Sequence, residues 1–376
     1  MRFFMRFLRS VAVALLLPAL LVGCDSNGTG EPDPGGEPFP RNALYVANQS
    51  SASVTVISTE TNAVVATLDL TDYGFTAPDR ATGAPGAKPH HVVVEPDGSA
   101  FYVSLISDDV VAKFSRQGEL LDTVPFTSPG MMALAPGGDL LYVTHTMSIP
   151  SVPPTVAAVR RSDMTVVGEQ PIETGIDRPH GVGVHPGGAY AYAASLSKNR
   201  LAVIDTETQT VTRERQPSPL QRYVHFSLSP EGANEGARLY ATGQTAGQVS
   251  VFDVTDPAAP QLTETVDVGA EPFHPVLTDD GGTLYVPNKG DNSVTALDTE
   301  TLQAETITGA GLAQPHGSAL APDGGRYLYI SNNNLNGAYA PADENGAVVV
   351  IDTRSPREIA NVIEVGRNPR GIGTRR

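Results

Sequence analysis

The chain is poor in the residues on which most covalent and cofactor chemistry depends. Its 376 residues include one Cys and no Trp. A single cysteine excludes an internal disulfide framework, a Cys-rich zinc site, an iron–sulfur cluster and the C-x-x-C-H attachment of a c-type haem. Positive charge is scarce, with 25 Lys+Arg against 41 Asp+Glu and a formal net charge of −16. That balance excludes nucleic acid as a partner, because phosphates call for a basic surface. Lysine occurs four times, as Lys88, Lys113, Lys198 and Lys289. There is no G-x-S-x-G nucleophile elbow, no phosphate-cradling P-loop and no H-E-x-x-H metal motif. What the chain does have is 37 Gly, 31 Pro and a hydrophobic fraction of 40%, enough for a core built from many short strands and turns.

The N-terminus reads as an address. Arg2, Arg6 and Arg9 precede an apolar stretch from Val11 to Val22 that is too short to span a bilayer. It ends in Leu21-Val22-Gly23-Cys24, which resembles the lipobox of bacterial lipoproteins, cleaved before the Cys and acylated on it. Residues 1–23 are therefore expected to be a signal peptide and Cys24 a lipid attachment site. The protein would be anchored to a membrane without crossing it, in the cell envelope and periplasmic or surface-exposed. Residues 24–42, rich in Gly, Pro, Asp and Glu, read as a flexible tether.

From residue 43 to 376 the chain repeats. Seven segments place an apolar residue, Tyr and a small apolar residue in sequence, centred on Tyr45, Tyr102, Tyr142, Tyr192, Tyr240, Tyr285 and Tyr329. Before the Tyr come an apolar strand and a tight turn, as in His91-Val92-Val93-Val94-Glu95-Pro96-Asp97-Gly98. After it come an alternating strand, such as Val294 to Thr299, and a further one, such as Ile359 to Val365. Four short strands per period of 40–50 residues mark a β-propeller, and the fold class is all-β with seven four-stranded blades. The first copy lacks its leading strand, and Pro369-Arg370-Gly371-Ile372-Gly373-Thr374 supplies one. The C-terminal strand is thus expected to complete the N-terminal blade and remove two open sheet edges. Asp205, Asp253, Asp298 and Asp352 recur at strand ends and read as turn formers.

The segment Tyr45-Val46-Ala47-Asn48, followed by Val54-Thr55-Val56-Ile57-Ser58-Thr59, resembles the YVTN (YncE-like) family of β-propeller repeat proteins. That resemblance implies a propeller over the whole body and leaves function open among surface-layer, binding and periplasmic roles.

Blade phase places the histidines. His90, His91, His180, His225, His274 and His316 fall at the start of five inner strands, His145 follows the Tyr strand of a sixth blade, and Arg370 takes the place in the seventh. His185 alone belongs to the opposite turn. The long connections Thr71–Lys88, His145–Thr155 and Asn332–Gly346 reach the same face. This mouth is the candidate binding site. Neutral imidazole is the commonest ligand for copper and zinc, and Met131-Met132 adds soft-ligand character. His90, His180, His225, His274 and His316 are accordingly a candidate site for copper or another transition metal, or for haem. They could equally form a hydrogen-bonded ring or an organic-ligand site.

Three functions follow. One is a non-catalytic binding scaffold that presents its mouth to a protein, glycan or small ligand. The second is a metal- or haem-dependent redox protein using the same cluster. The third rests on Pro89-His90 with Pro-Asp-Gly and Phe-Tyr-Val, repeated at Pro179-His180, which resembles the lactonase propellers that hydrolyse sugar-acid lactones. That likeness implies a His or Arg at the mouth orienting water and carboxylate. Leu105 to Asp109 and Leu196 to Asn199 depart from the pattern.

Overall fold

Each Tyr segment forms the second strand of a blade: Ala43–Asn48, Ala100–Leu105, Leu140–His145, Tyr190–Ser195, Arg238–Gly243, Thr283–Asn288 and Tyr327–Asn332. These strands are buried along nearly their whole length, because each lies inside a sheet that is itself stacked between two others. The computed structural model describes residues 38–375 except 81, 85, 148, 150, 151, 216–222, 230–236, 323, 342 and 343, and only the backbone of residues 215 and 223–225. The expected signal peptide, Cys24 and the tether as far as residue 37 lie outside the described residues.

Seven antiparallel sheets follow in chain order, and the fold is a seven-bladed β-propeller. The inner strands of blades 1 to 7 are Pro369–Gly373, Pro89–Val94, Pro129–Leu134, Pro179–Val184, Tyr223–Leu228, Val276–Leu277 and Pro315–Leu320. The C-terminal strand closes the ring as expected, pairing Gly373 with Tyr45 and Ile372 with Val46. Blade 3 departs from the regular four strands. Its outermost position is shared by two short pieces, Thr165–Val166 and Ile172–Glu173, both paired with Thr155–Arg160. Blade 6 keeps only two residues of inner ladder and a bridge from Pro272 to Asn288. Pro272 and Pro275 lack the N–H groups a longer ladder would use. Among the described residues the one helical element is a 3₁₀ turn, Leu70–Tyr73, capped by Asp69.

The blade tyrosines do more than fill space. Each buries an aromatic ring, worth roughly 1.5–3 kcal/mol, and four send their hydroxyl to the hairpin joining the third and fourth strands of the next blade. Tyr142 accepts from Gln209 at 3.1 Å, and Tyr192 donates to the Pro257 carbonyl at 2.9 Å. Tyr285 accepts from Arg357 at 3.2 Å, and Tyr329 donates to Asn62 Oδ1 at 2.7 Å across the ring closure. The strand-end aspartates do form turns: Asp205 and Asp298 each accept two backbone N–H groups from the residues that follow.

Two measurements test this account. Deleting Pro369 to Arg376 strips blade 1 of its inner strand and opens two edges. We expect loss of the cooperative thermal transition or conversion to oligomers on gel filtration, and an unchanged melting temperature in a monomer would refute the closure. Tyr329→Phe removes one interblade hydrogen bond and should cost about 1 kcal/mol in urea unfolding, whereas Tyr327→Phe on the same strand should cost less.

Candidate functional site

The inner strands do not run straight into the mouth. In blades 1, 2, 3, 4, 5 and 7 the ladder to the second strand is interrupted by a bulge near its first pair. In blade 2, Pro89 faces Leu105 and His91 faces Ser104, so His90 has no partner. His180 is skipped in the same way. Arg370 and His316 lie in stretches where two residues oppose one. A bulge frees the extra residue from the ladder and re-aims its side chain. The N–H groups it releases are taken up by a hydroxyl two residues after the blade tyrosine: Ser104 accepts from His91, Thr144 from Met131 and Ser331 from Gly317. Thr144 and Ser331 then donate to the carbonyls of His180 and Arg370 in the adjoining blade.

A second feature sits just upstream. Ser128, Arg178, Gln314 and Asn368, each directly before an inner-strand proline, and Glu271, before the bridging Pro272 of blade 6, have φ between 45° and 56°. This left-handed conformation is costly for non-glycine residues. It points their carbonyls at the residue four after the blade tyrosine, giving bonds of 2.9–3.1 Å to the N–H groups of Thr146, Leu196, Lys289, Asn333 and Gln49. The mouth therefore has two tiers. One comes from residues following the prolines and the other from residues following the second strands.

The imidazoles meet across the channel. His90 Nε2 lies 3.3 Å from His180 Nε2, and Gln49 Nε2 lies 3.2 Å from His90 Nδ1. The amide donates, so His90 carries its proton on Nε2 and donates to His180. His274 packs edge-on against His316 with ring centroids 4.6 Å apart, and His91 and His180 approach His274 at 6.2 and 6.0 Å. His91 Nδ1 accepts from the Met132 N–H at 3.3 Å. Arg370 Nη1 donates to His316 Nε2 at 3.2 Å, which leaves the His316 proton on Nδ1. Phe273 covers His316 with ring centroids 4.4 Å apart, and the Lys289 ammonium sits 5.1 Å above Phe273. Gly371 lets Arg370 approach this group, since a Cβ there would stand 2.5 Å from His91 Cα.

Three histidines stand apart from this cluster: His145 departs from expectation, His185 keeps to the opposite turn as expected, and the side chain of His225 is outside the described residues. His145 lies on the second strand of blade 3, one ladder spacing (about 4.8 Å) further from the axis. Its Nδ1 bonds the Pro153 carbonyl at 3.1 Å, and it lines a small separate cavity with Met147, Asp177 and Arg178. His185 caps its own turn by accepting from the Gly187 N–H. His225 lies in the bulged stretch of blade 5, but its side chain is outside the described residues. Sequence reasoning missed Gln49, Phe273, Lys289 and Asn333. Gln49, Lys289 and Asn333 share one repeat position, four residues after the blade tyrosine, and that periodicity was the signal available.

Burial governs the electrostatics. It holds His90 and His316 well below the ordinary histidine value, with the neighbouring His180 adding to the effect at His90 and Arg370 at His316. His91 is pushed down to about 3 by burial and by His180. Burial also lowers Arg370 to about 10 and, together with Arg370, Lys289 to about 8. The mouth thus combines uncharged imidazoles with two cations. His316 Nδ1, Arg370 Nε and Asn333 Oδ1 are buried without hydrogen-bond partners among the described residues. As for a metal, the imidazoles bond to Gln49, Arg370, the Met132 backbone and each other. Among the described residues no group of three or more His, Cys, Asp or Glu is arranged to hold a metal ion. Below the histidine cluster the channel continues as a cavity of about 650 Å³ that opens towards the Pro-Asp-Gly turn at Glu95–Asp97.

A ring of seven four-stranded blades with a polar, cationic mouth defines a seven-bladed β-propeller with a formed site at one end of its channel. The chain belongs to the family described as lactonase, 7-bladed β-propeller, whose model matches residues 40–272 and, overlapping them, 115–372. No curated protein matches the chain. Many solved structures share the fold, among them these three. Hydrazine synthase from Kuenenia stuttgartiensis is 23% identical with a TM-score of 0.57, covering 70% of this chain and 76% of that one. A functionally unknown protein from Desulfotomaculum acetoxidans is 14% identical with a TM-score of 0.66, covering 89% and 98%. The dihydro-haem d1 dehydrogenase NirN, in complex with DHE, is 14% identical with a TM-score of 0.62, covering 92% and 77%.

The neutral imidazoles carry a testable sign. The unfolded chain protonates His91 near 6.5, whereas the folded chain does so only near 3. Stability from this group is complete above pH 6.5 and is lost as pH falls towards 3, at no more than about 1.4 kcal/mol per pH unit for each proton. Urea unfolding at pH 7 and pH 5, a range largely above carboxylate titration, should show the loss. His91→Gln should show less of it, and equal pH slopes in the two proteins would count against the assignment.

Proposed function

We propose that this protein binds a small carboxylate-bearing ligand, in the class of sugar acids and their lactones, at the mouth built by His90, His180, His274, His316, Lys289 and Arg370. The observation that carries this reading is the unmatched supply of donors. Arg370 Nε–H and His316 Nδ1–H are buried without acceptors among the described residues, and Lys289 feels the Glu271 carboxylate without forming a salt bridge to any carboxylate described. A buried donor left unsatisfied costs about 1–3 kcal/mol, so the ligand that repays it is rich in acceptors. An otherwise acidic protein that gathers two cations at one end of its channel also attracts small anions to that point.

Hydrolysis of a lactone is a second reading, favoured by family membership and by the His90–His180 pair. A neutral imidazole is able to take a proton from water, and Arg370 is able to stabilise the oxyanion that forms on the attacked carbonyl. We further propose, from the lipobox-like Leu21-Val22-Gly23-Cys24, that Cys24 is acylated and anchors the propeller in the cell envelope. A YVTN-type (YncE-like) relationship is proposed on the Tyr-Val-Ala-Asn segment at residues 45–48 and the six other Tyr-centred copies.

Calorimetric titration with gluconate tests the binding. We expect one site, weakened about tenfold or more by Arg370→Met, which removes a charge-assisted partner worth about 1.5–3 kcal/mol. Absence of any heat with gluconate and with pyruvate would remove the proposal. Ring opening of gluconolactone above the spontaneous rate, lost in His90→Gln with gluconate binding retained, would establish the hydrolytic reading.

A further inference from the structure

Lys289 differs from the lysines whose amines have partners. Lys88 pairs with Asp79, and the Lys113 amine donates to the Arg161 carbonyl at 2.7 Å. The Lys289 amine has neither kind of partner among the described residues and lies over the Phe273 ring. Its backbone is held, since its N–H donates at 2.9 Å to the left-handed Glu271. Lys289 is therefore fixed at the mouth by a main-chain bond while its amine is left uncommitted, half-buried, against an aromatic face. Burial opposes protonation of the amine most, the charge of Arg370 adds to it, and the nearby Glu271 carboxylate offsets part of the two. A lysine in an apolar setting next to a second cation is the arrangement that makes an amine nucleophilic at ordinary pH.

We propose that Lys289 is a carbonyl-reactive amine that forms an imine with a small 2-oxo acid whose carboxylate is held by Arg370. This rests on the anion-binding reading above and adds covalent chemistry to it. The neutral amine's lone pair attacks the carbonyl carbon and forms the C–N bond. The carbonyl C–O bond then breaks, and its oxygen leaves as water with the two protons that the nitrogen gives up. No oxidant or reductant is consumed. Phe273 shields the amine, and Arg370 sets the orientation of the acid, so the electrophile is presented rather than merely concentrated.

The test uses the full chain, pyruvate as probe and sodium borohydride to reduce any imine, followed by intact mass and peptide mapping. We expect one reduced pyruvyl adduct, located on Lys289 and absent from Lys289→Met. Its formation should accelerate several-fold between pH 7 and pH 9 as the amine loses its proton near 8. Labelling spread evenly over Lys88, Lys113, Lys198 and Lys289 would overturn the proposal, as would labelling that Lys289→Met leaves unchanged. Pyruvate binding by calorimetry runs alongside. Binding that Arg370→Met weakens, without an adduct on the wild-type protein, ends the lysine chemistry and leaves the anion site standing. Neither pyruvate binding nor adduct ends the lysine chemistry, and the anion site falls with it only where gluconate also gives no heat. Because the adduct is mapped on the wild-type chain, the result does not depend on how a variant folds.

Discussion

The mouth depends on one backbone device, a bulge near the head of the inner strand whose released N–H is caught by a hydroxyl from the second strand. Without the bulge, His90 and His180 would pair into their ladders and project between blades, like Val92 and Val182 below them. With it, the side chain turns into the channel, and the backbone groups it abandons stay satisfied. Ser104, Thr144 and Ser331 do this in three blades, and two of them pass the bond on to the next inner strand. Local aim and ring cohesion thus use the same hydroxyls. This is economical because a buried N–H without an acceptor would cost more than the bond itself returns.

The left-handed residues before the prolines belong to the same device. Proline gives the inner strand a start that donates nothing, so the chain is free to turn sharply there. The strained residue just before it aims its carbonyl at the second strand four places beyond the tyrosine. That bond anchors the residue whose side chain forms the upper tier, Gln49, Lys289 or Asn333. Strain of this kind persists only when surrounding structure fixes it, and here both ends are fixed, by the ladder on one side and the proline on the other.

Much of this was legible in the sequence, because repetition converts position into geometry. Seven tyrosines gave seven blades, and the missing first strand reappearing at Pro369 gave the closure. His90, His180, His274 and His316 shared a phase and so shared a place. His145 had the right face but the wrong strand, and phase along the chain does not reveal distance from the axis. The second tier was harder to see because its members are chemically unlike one another. Gln49, Ile106, Thr146, Leu196, Lys289 and Asn333 share a position but no chemistry, so periodicity of residue type passed over them. Hydroxyl exchange between blades, as from Tyr329 to Asn62, was also out of reach, since it joins residues 267 apart in the chain.

The choice of histidine at this depth follows from charge. Two cations already occupy the mouth, and further ammonium or guanidinium groups beside Arg370 would each meet its repulsion in a poorly solvated setting. Imidazole escapes that penalty by staying neutral, which burial enforces at His90, His91 and His316. It still offers one donor and one acceptor, so a chain of bonds runs from Gln49 through His90 to His180 without adding charge. The same desolvation that silences the imidazoles also acts on Lys289 and Arg370, weakening their hold on protons and leaving both short of acceptors. In the proposed complex a bound carboxylate would reverse the balance for all of them together, since one negative charge satisfies cations that repel each other in its absence. The anion affinity we propose for the mouth and its reluctance to be protonated are therefore two consequences of one low-dielectric enclosure.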